Sequence, residues 1–160
     1  MGGVLLSTAR IDRRKVEWEL REREILEEDL AEHVRGLINS FNELARLARP
    51  GLWIVKAELL RHAREVGGNA LVAREILMKL GMEQYDYEAE TAIHYLGRIV
   101  SRAKELIKMV DQLEHSGDYV KISPDVASLI DRIGMNINAV LDSLERIPFH
   151  YITSRDLYPR

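Results

Sequence analysis

From Leu26 onward, apolar residues recur at Leu26, Leu30, Val34, Leu37, Phe41, Leu44 and Ala48, the four-and-three spacing that lines one side of an α-helix. The run from Asp12 to Ala48 has no proline and one glycine, Gly36, so it predicts a single long helix. Its two halves differ. Between Asp12 and Glu24 the only large apolar residues are Val16, Trp18 and Leu20, set among alternating charges. This half is too poor in apolar residues to pack like the second and is expected to leave the globule as an arm. Arg49-Pro50-Gly51 then ends the helix, because proline disfavours the helical state of the residue before it and glycine supplies the turn.

A second helix is expected from Leu52 to Val66, on a stripe of Leu52, Val55, Leu59, Ala63 and Val66 widened by Trp53, Ile54 and Ala57. Gly67-Gly68 is read as its stop. Asn69 is read as the cap of a short third helix, Ala70 to Leu80, closed by Gly81. Met82 to Tyr87 forms a connector. A fourth helix from Asp86 or Tyr87 to about His115 has the cleanest stripe, including Ala89, Leu96, Ile99, Ala103, Leu106 and Val110. Ser116-Gly117-Asp118 breaks it, and Tyr119 to Ile122 is too short and isolated to predict a sheet. Ser123-Pro124-Asp125 has the hydroxyl cap, first-turn proline and acid of a helix start, and the fifth helix runs to Pro148.

One-sided helices with short connections pack as a bundle. The expected fold is therefore all-α, a helical bundle of four to five helices with a long N-terminal helix projecting as an arm. Residues 1–24 form the lead-in and arm, 25–148 the bundle, and 149–160 an aromatic and basic C-terminal tail. Val16, Trp18 and Leu20 on the arm, with Phe149, Tyr151 and Tyr158 on the tail, are the candidate self-association residues, implying a homo- or hetero-oligomer.

Composition narrows the chemistry. With no cysteine among 160 residues, disulfides, thiolate catalysis and cysteine-ligated metals are excluded. No stretch approaches the ~20 uncharged apolar residues of a membrane helix, and MGGVLLSTAR is too short and too soon charged for a secretory signal. A soluble, cytoplasmic protein is expected. Arginine outnumbers lysine and charged residues reach 31%, a balance suited to the ion-pair networks of a thermophile.

Helical bundles often hold metals through Glu-x-x-His, but no Glu here has His three residues on. The pairs Glu58/His62, Asp29/His33 and Glu90/His94 sit at four-residue spacing, where ordinary surface pairing outweighs ligation. Glu27, Glu28, Asp29 and Glu32 read as solvated surface. Gly67-Gly68 lacks the Lys-Ser/Thr of a phosphate loop, and there is no Gly-x-Ser-x-Gly. Ser116 and Ser123 are a turn and a cap. No catalytic residues, metal or cofactor are expected, and the chain is read as a non-enzyme.

The net charge of −3 hides a local cluster of Arg10, Arg13, Arg14 and Lys15 against Asp12, followed by Arg21. Arg10, Arg14 and Arg21 share one helix side and could follow the phosphates of DNA or RNA. The competing reading is a salt-bridge-laced helix, with Arg13–Glu17, Glu17–Arg21, Lys15–Glu19 and Glu19–Arg23 all at i,i+4. A second candidate spans residues 59–80, where Ala63, Gly67 and Ala73 echo the small positions of a helix-turn-helix and Arg74 and Lys79 would face bases.

The whole layout resembles that of archaeal filamentous-virus coat proteins, in which an N-terminal helical arm wraps nucleic acid and a helical bundle faces outward. The resemblance implies a self-assembling structural subunit. The long first helix and Ser116-Gly117-Asp118 before the last one also resemble ESCRT-III-type membrane-remodelling subunits.

Overall fold

The computed structural model describes residues 2–81 and 86–160, and the side chains of 2–13 and 15 lie outside what is described; so does most of the expected connector, residues 82–85. The first helix forms over the run its spacing predicts but begins ten residues before Asp12, in the stretch expected as a lead-in: α1 runs Gly2–Leu47. Leu30, Val34, Leu37 and Leu44 are fully or almost fully buried along its inner side. Pro50-Gly51 makes the reversal. The Leu52 amide donates to the Arg49 carbonyl at 3.0 Å and Gly51 takes φ +87°, the positive angle a turn of this kind assigns to glycine.

The next expected helix starts later than its stripe suggests. Trp53–Val55 is a strand, β1, and α2 occupies Lys56–Lys79 without interruption. The stop expected at Gly67-Gly68 is absent, so the two short helices predicted on either side are one. The reason is packing. Ala63, Val66, Ala70, Ala73 and Leu77 are all completely buried and keep one phase across both glycines, and that tertiary burial overrides the roughly 1 kcal/mol by which each glycine weakens a helix. A Cβ on Gly67 would lie 3.2 Å from the Ala103 Cβ, so this glycine lets α2 approach the next helix. Asn69 caps nothing; its Nδ2 donates to the Glu65 carbonyl one turn back, beside Gly36 of α1.

The helix α3 (Tyr87–Val110) starts as expected, with the Asp86 carboxylate accepting from the Glu88 amide, but ends a turn earlier than predicted. His115–Ser116 (β2) and Tyr119–Lys121 (β3) form a hairpin, and β3 also pairs antiparallel with β1 in a three-stranded sheet of order β1-β3-β2. The isolated segment thus finds its partners 64 to 68 residues back, Trp53 opposite Lys121 and Val55 opposite Tyr119. Local spacing cannot show such a pairing. Gly117, at φ +60°, makes the hairpin turn. The fourth helix, α4, runs Pro124–Glu145 with the Ser123 hydroxyl accepting from the Val126 amide, as predicted.

Among the described residues four α-helices therefore pack in succession, each antiparallel to the one before. Gly36 of α1 faces Asn69 of α2 across the Pro50-Gly51 reversal. Gly67 and Arg74 of α2 meet Ala103 and Gly97 of α3 in reversed order. Arg102 of α3 donates to Asn136 of α4, and Glu88 meets Arg146. The all-α helical bundle is confirmed, with the small sheet closing one end.

Candidate interaction surface

The α1 seam continues past the bundle. Stepping back from Leu30 by the same three-and-four spacing reaches Glu27, Arg23, Leu20 and Val16. Glu27 is completely buried, which corrects its reading as solvated surface; Glu28 and Glu32 are exposed as expected. One Glu27 oxygen accepts from the Tyr151 amide at 2.9 Å and the other lies 3.6 Å from Arg23 Nε. Arg23 therefore pairs forward with Glu27 rather than back with Glu19. This polar layer marks where the seam leaves the core, since Leu20 and Val16 beyond it are exposed.

Leu20 is 44% exposed, Val16 51%, Trp18 64% and Ile25 59%. Val16 and Leu20 prolong the core seam, flanked on either side by Glu17, Glu19 and Glu24. Arg14, Trp18, Arg21 and Ile25 fall on the opposite face in a second four-three-four series, all exposed. The arm is thus apolar on two sides. An element with that pattern is normally enclosed by neighbours. Of the candidate phosphate-binding residues, Arg14 and Arg21 are solvent-facing; the side chains of Arg10, Arg13 and Lys15 lie outside those described.

The tail docks on its own bundle. Ile152 and Leu157 are buried and Phe149 is packed partly into the core. Arg35 donates to the Asp156 carbonyl, and the Tyr158 hydroxyl donates to Glu145. That hydrogen bond, with burial and the nearby acids, pushes the Tyr158 phenol up to about 12. Asp156 receives the Thr153 amide in the capping box of a 3-10 turn, Ser154–Leu157, and this bond holds its carboxyl below the usual range. Of the three tail aromatics grouped for self-association, Tyr151 and Tyr158 remain partly exposed at 39% and 37%, whereas Phe149 serves the internal core.

Residues 59–80 present no helix-turn-helix, since α2 is continuous there. Arg74 lies against Gly97 of α3 instead of standing free on a recognition helix. His62, expected in a surface pair with Glu58, is buried. Its ring nitrogens have no hydrogen-bond partner and sit 3.8 Å from Glu58 and 4.0 Å from Glu65. His33 Nδ1 donates to the Asp29 carbonyl, not its carboxylate. Among the described residues no group of three or more His, Asp or Glu is placed to hold a metal ion, and no helix is long and apolar enough to cross a membrane.

Among the surface hollows, two differ in character. One of about 480 Å³ lies between the Pro50-Gly51 turn and the end of α3, with a mixed lining including Gln112, Lys121 and Asp125. The other, about 210 Å³, is an almost wholly carbon-lined groove between α2 and α3. No protein-family model, curated protein or solved structure matches the chain.

Proposed function

We propose that this protein is a non-enzymatic structural subunit that self-associates through its N-terminal helical arm, of the kind that builds a nucleoprotein or coat filament. The observation that carries the reading is the exposure of Val16, Trp18, Leu20 and Ile25 on a helix continuous with the bundle. Four large apolar side chains held in water on a rigid rod are a standing cost that a neighbouring subunit removes. The outer series Arg14, Trp18, Arg21 and Ile25 sets cations beside an aromatic ring, a combination suited to a nucleic-acid backbone, with Arg10, Arg13 and Lys15 adding to the cluster in sequence.

Sedimentation of the full chain beside a truncation beginning at Glu24 tests the assembly. The full chain is expected to form oligomers and the truncation a monomer; monomers in both would overturn the reading. Binding to DNA or RNA is expected to weaken steeply with salt, with a shallower slope after Arg14→Ala and Arg21→Ala.

A further inference from the structure

Resting on that reading, we infer that the receptor for the arm is the groove between α2 and α3 of a second copy, into which the Val16–Leu20 seam inserts. The groove floor is Gly67, Gly68 and Leu71 of α2 with Val100, Ala103 and Ile107 of α3. Leu71 is 43% exposed although it stands on the bundle wall. The rim is cationic, formed by Arg64 and Lys104, and none of the lining residues is acidic.

Charge selects the occupant. The seam of the arm is flanked by Glu17, Glu19 and Glu24. Two such arms laid together would place glutamates against glutamates, which destabilises a coiled coil. Against the α2–α3 groove the same glutamates meet Arg64 and Lys104. Arm and groove also agree in length: Val16 to Arg23 and Ala63 to Leu71 each span roughly 10–12 Å of helix at 1.5 Å per residue. A straight helix cannot double back onto its own groove, so the arm must come from another subunit.

Gly68 gives an independent sign. It lies in mid-helix with nothing within 4 Å of where a Cβ would stand, so this chain's own packing does not require glycine there. A bare backbone at that point opens the floor to a visiting helix, as small residues do at close helix contacts. Seating arm in groove is a head-to-tail contact between different surfaces. Such contacts propagate into rings or open filaments rather than closed dimers.

The cysteine-free chain makes the test direct. Subunits carrying Leu20→Cys are mixed with subunits carrying Gly68→Cys and oxidised; a covalent heterodimer is expected. In parallel, the double variant Arg64→Glu, Lys104→Glu is expected to weaken self-association by more than about tenfold, with recovery when the partner carries Glu17→Lys and Glu24→Lys. If the full chain assembles and the truncation at Glu24 does not, yet the rim variant assembles normally, the groove assignment fails while the arm reading stands. A dominant Leu20→Cys homodimer likewise overturns the groove in favour of arm against arm. A full chain that is monomeric removes both.

Discussion

Three glycines, each in the middle of a helix, answer to different neighbours. A Cβ on Gly134 of α4 would lie 2.6 Å from Cζ of Phe41 on α1, and a ring cannot yield as a flexible chain end would. Gly134→Ala should therefore lower stability by about 1–2 kcal/mol, overpacking outweighing the gain in helix propensity. Gly68→Ala should raise the stability of the isolated subunit by about 0.5–1 kcal/mol, since its Cβ would enter open space. Gly36 is intermediate, because the atoms it would meet are the end of the Asn69 side chain. Urea unfolding of the variants separates the cases. Glu27 is the other decisive residue: Glu27→Ala strands the Tyr151 amide and Arg23, with an expected loss of about 1–3 kcal/mol, whereas Glu27→Gln keeps an acceptor for Tyr151 and should lose less.

Among the elements, the tail and the arm contrast. The tail looks free in sequence yet is pinned by Ile152, Leu157 and the Tyr158–Glu145 bond. Because the Tyr158 phenol is raised in the folded state, its contribution is fully present below its ordinary value of 10 and is lost as pH rises through about 12. The melting-temperature difference between wild type and Tyr158→Phe should accordingly be constant up to about pH 10 and vanish near pH 12. Among the described residues no side-chain hydrogen bond or ion pair anchors the arm before Arg23. In dilute subunit, amides from Val16 to Glu22 should exchange with solvent far faster than those from Leu30 to Leu44, and the difference should shrink on assembly.

At the scale of the molecule, one end of α1 is core and the other leaves its apolar residues exposed, and the partly exposed Arg23 paired with the buried Glu27 divides them. A polar layer within an otherwise apolar seam fixes register more than it adds stability. It sets where the core ends and how much of the helix extends beyond it. If glutamates on the arm meet cations on a second copy, self-association should weaken as salt is raised from low to moderate concentration, through screening of the rim contacts, while the apolar seam retains part of the affinity.

Sequence periodicity determined the helices whose apolar stripes are long and whose ends carry local chemistry: α1 with its Pro50-Gly51 stop, α3 with the Asp86 cap, and α4 with Ser123-Pro124. Each depends on contacts within a few residues, so spacing and capping suffice to read them. The arm was legible for the same reason, as a helix whose apolar stripe thins out. Tertiary structure alone decided that α2 runs through Gly67-Gly68, that Trp53–Val55 pairs with Tyr119–Lys121, that Glu27 and His62 are buried, and that the tail docks. In each case the deciding partner lies on another element, Ala103 for Gly67 and Tyr151 for Glu27 among them, and a local pattern carries no record of what the chain will fold against.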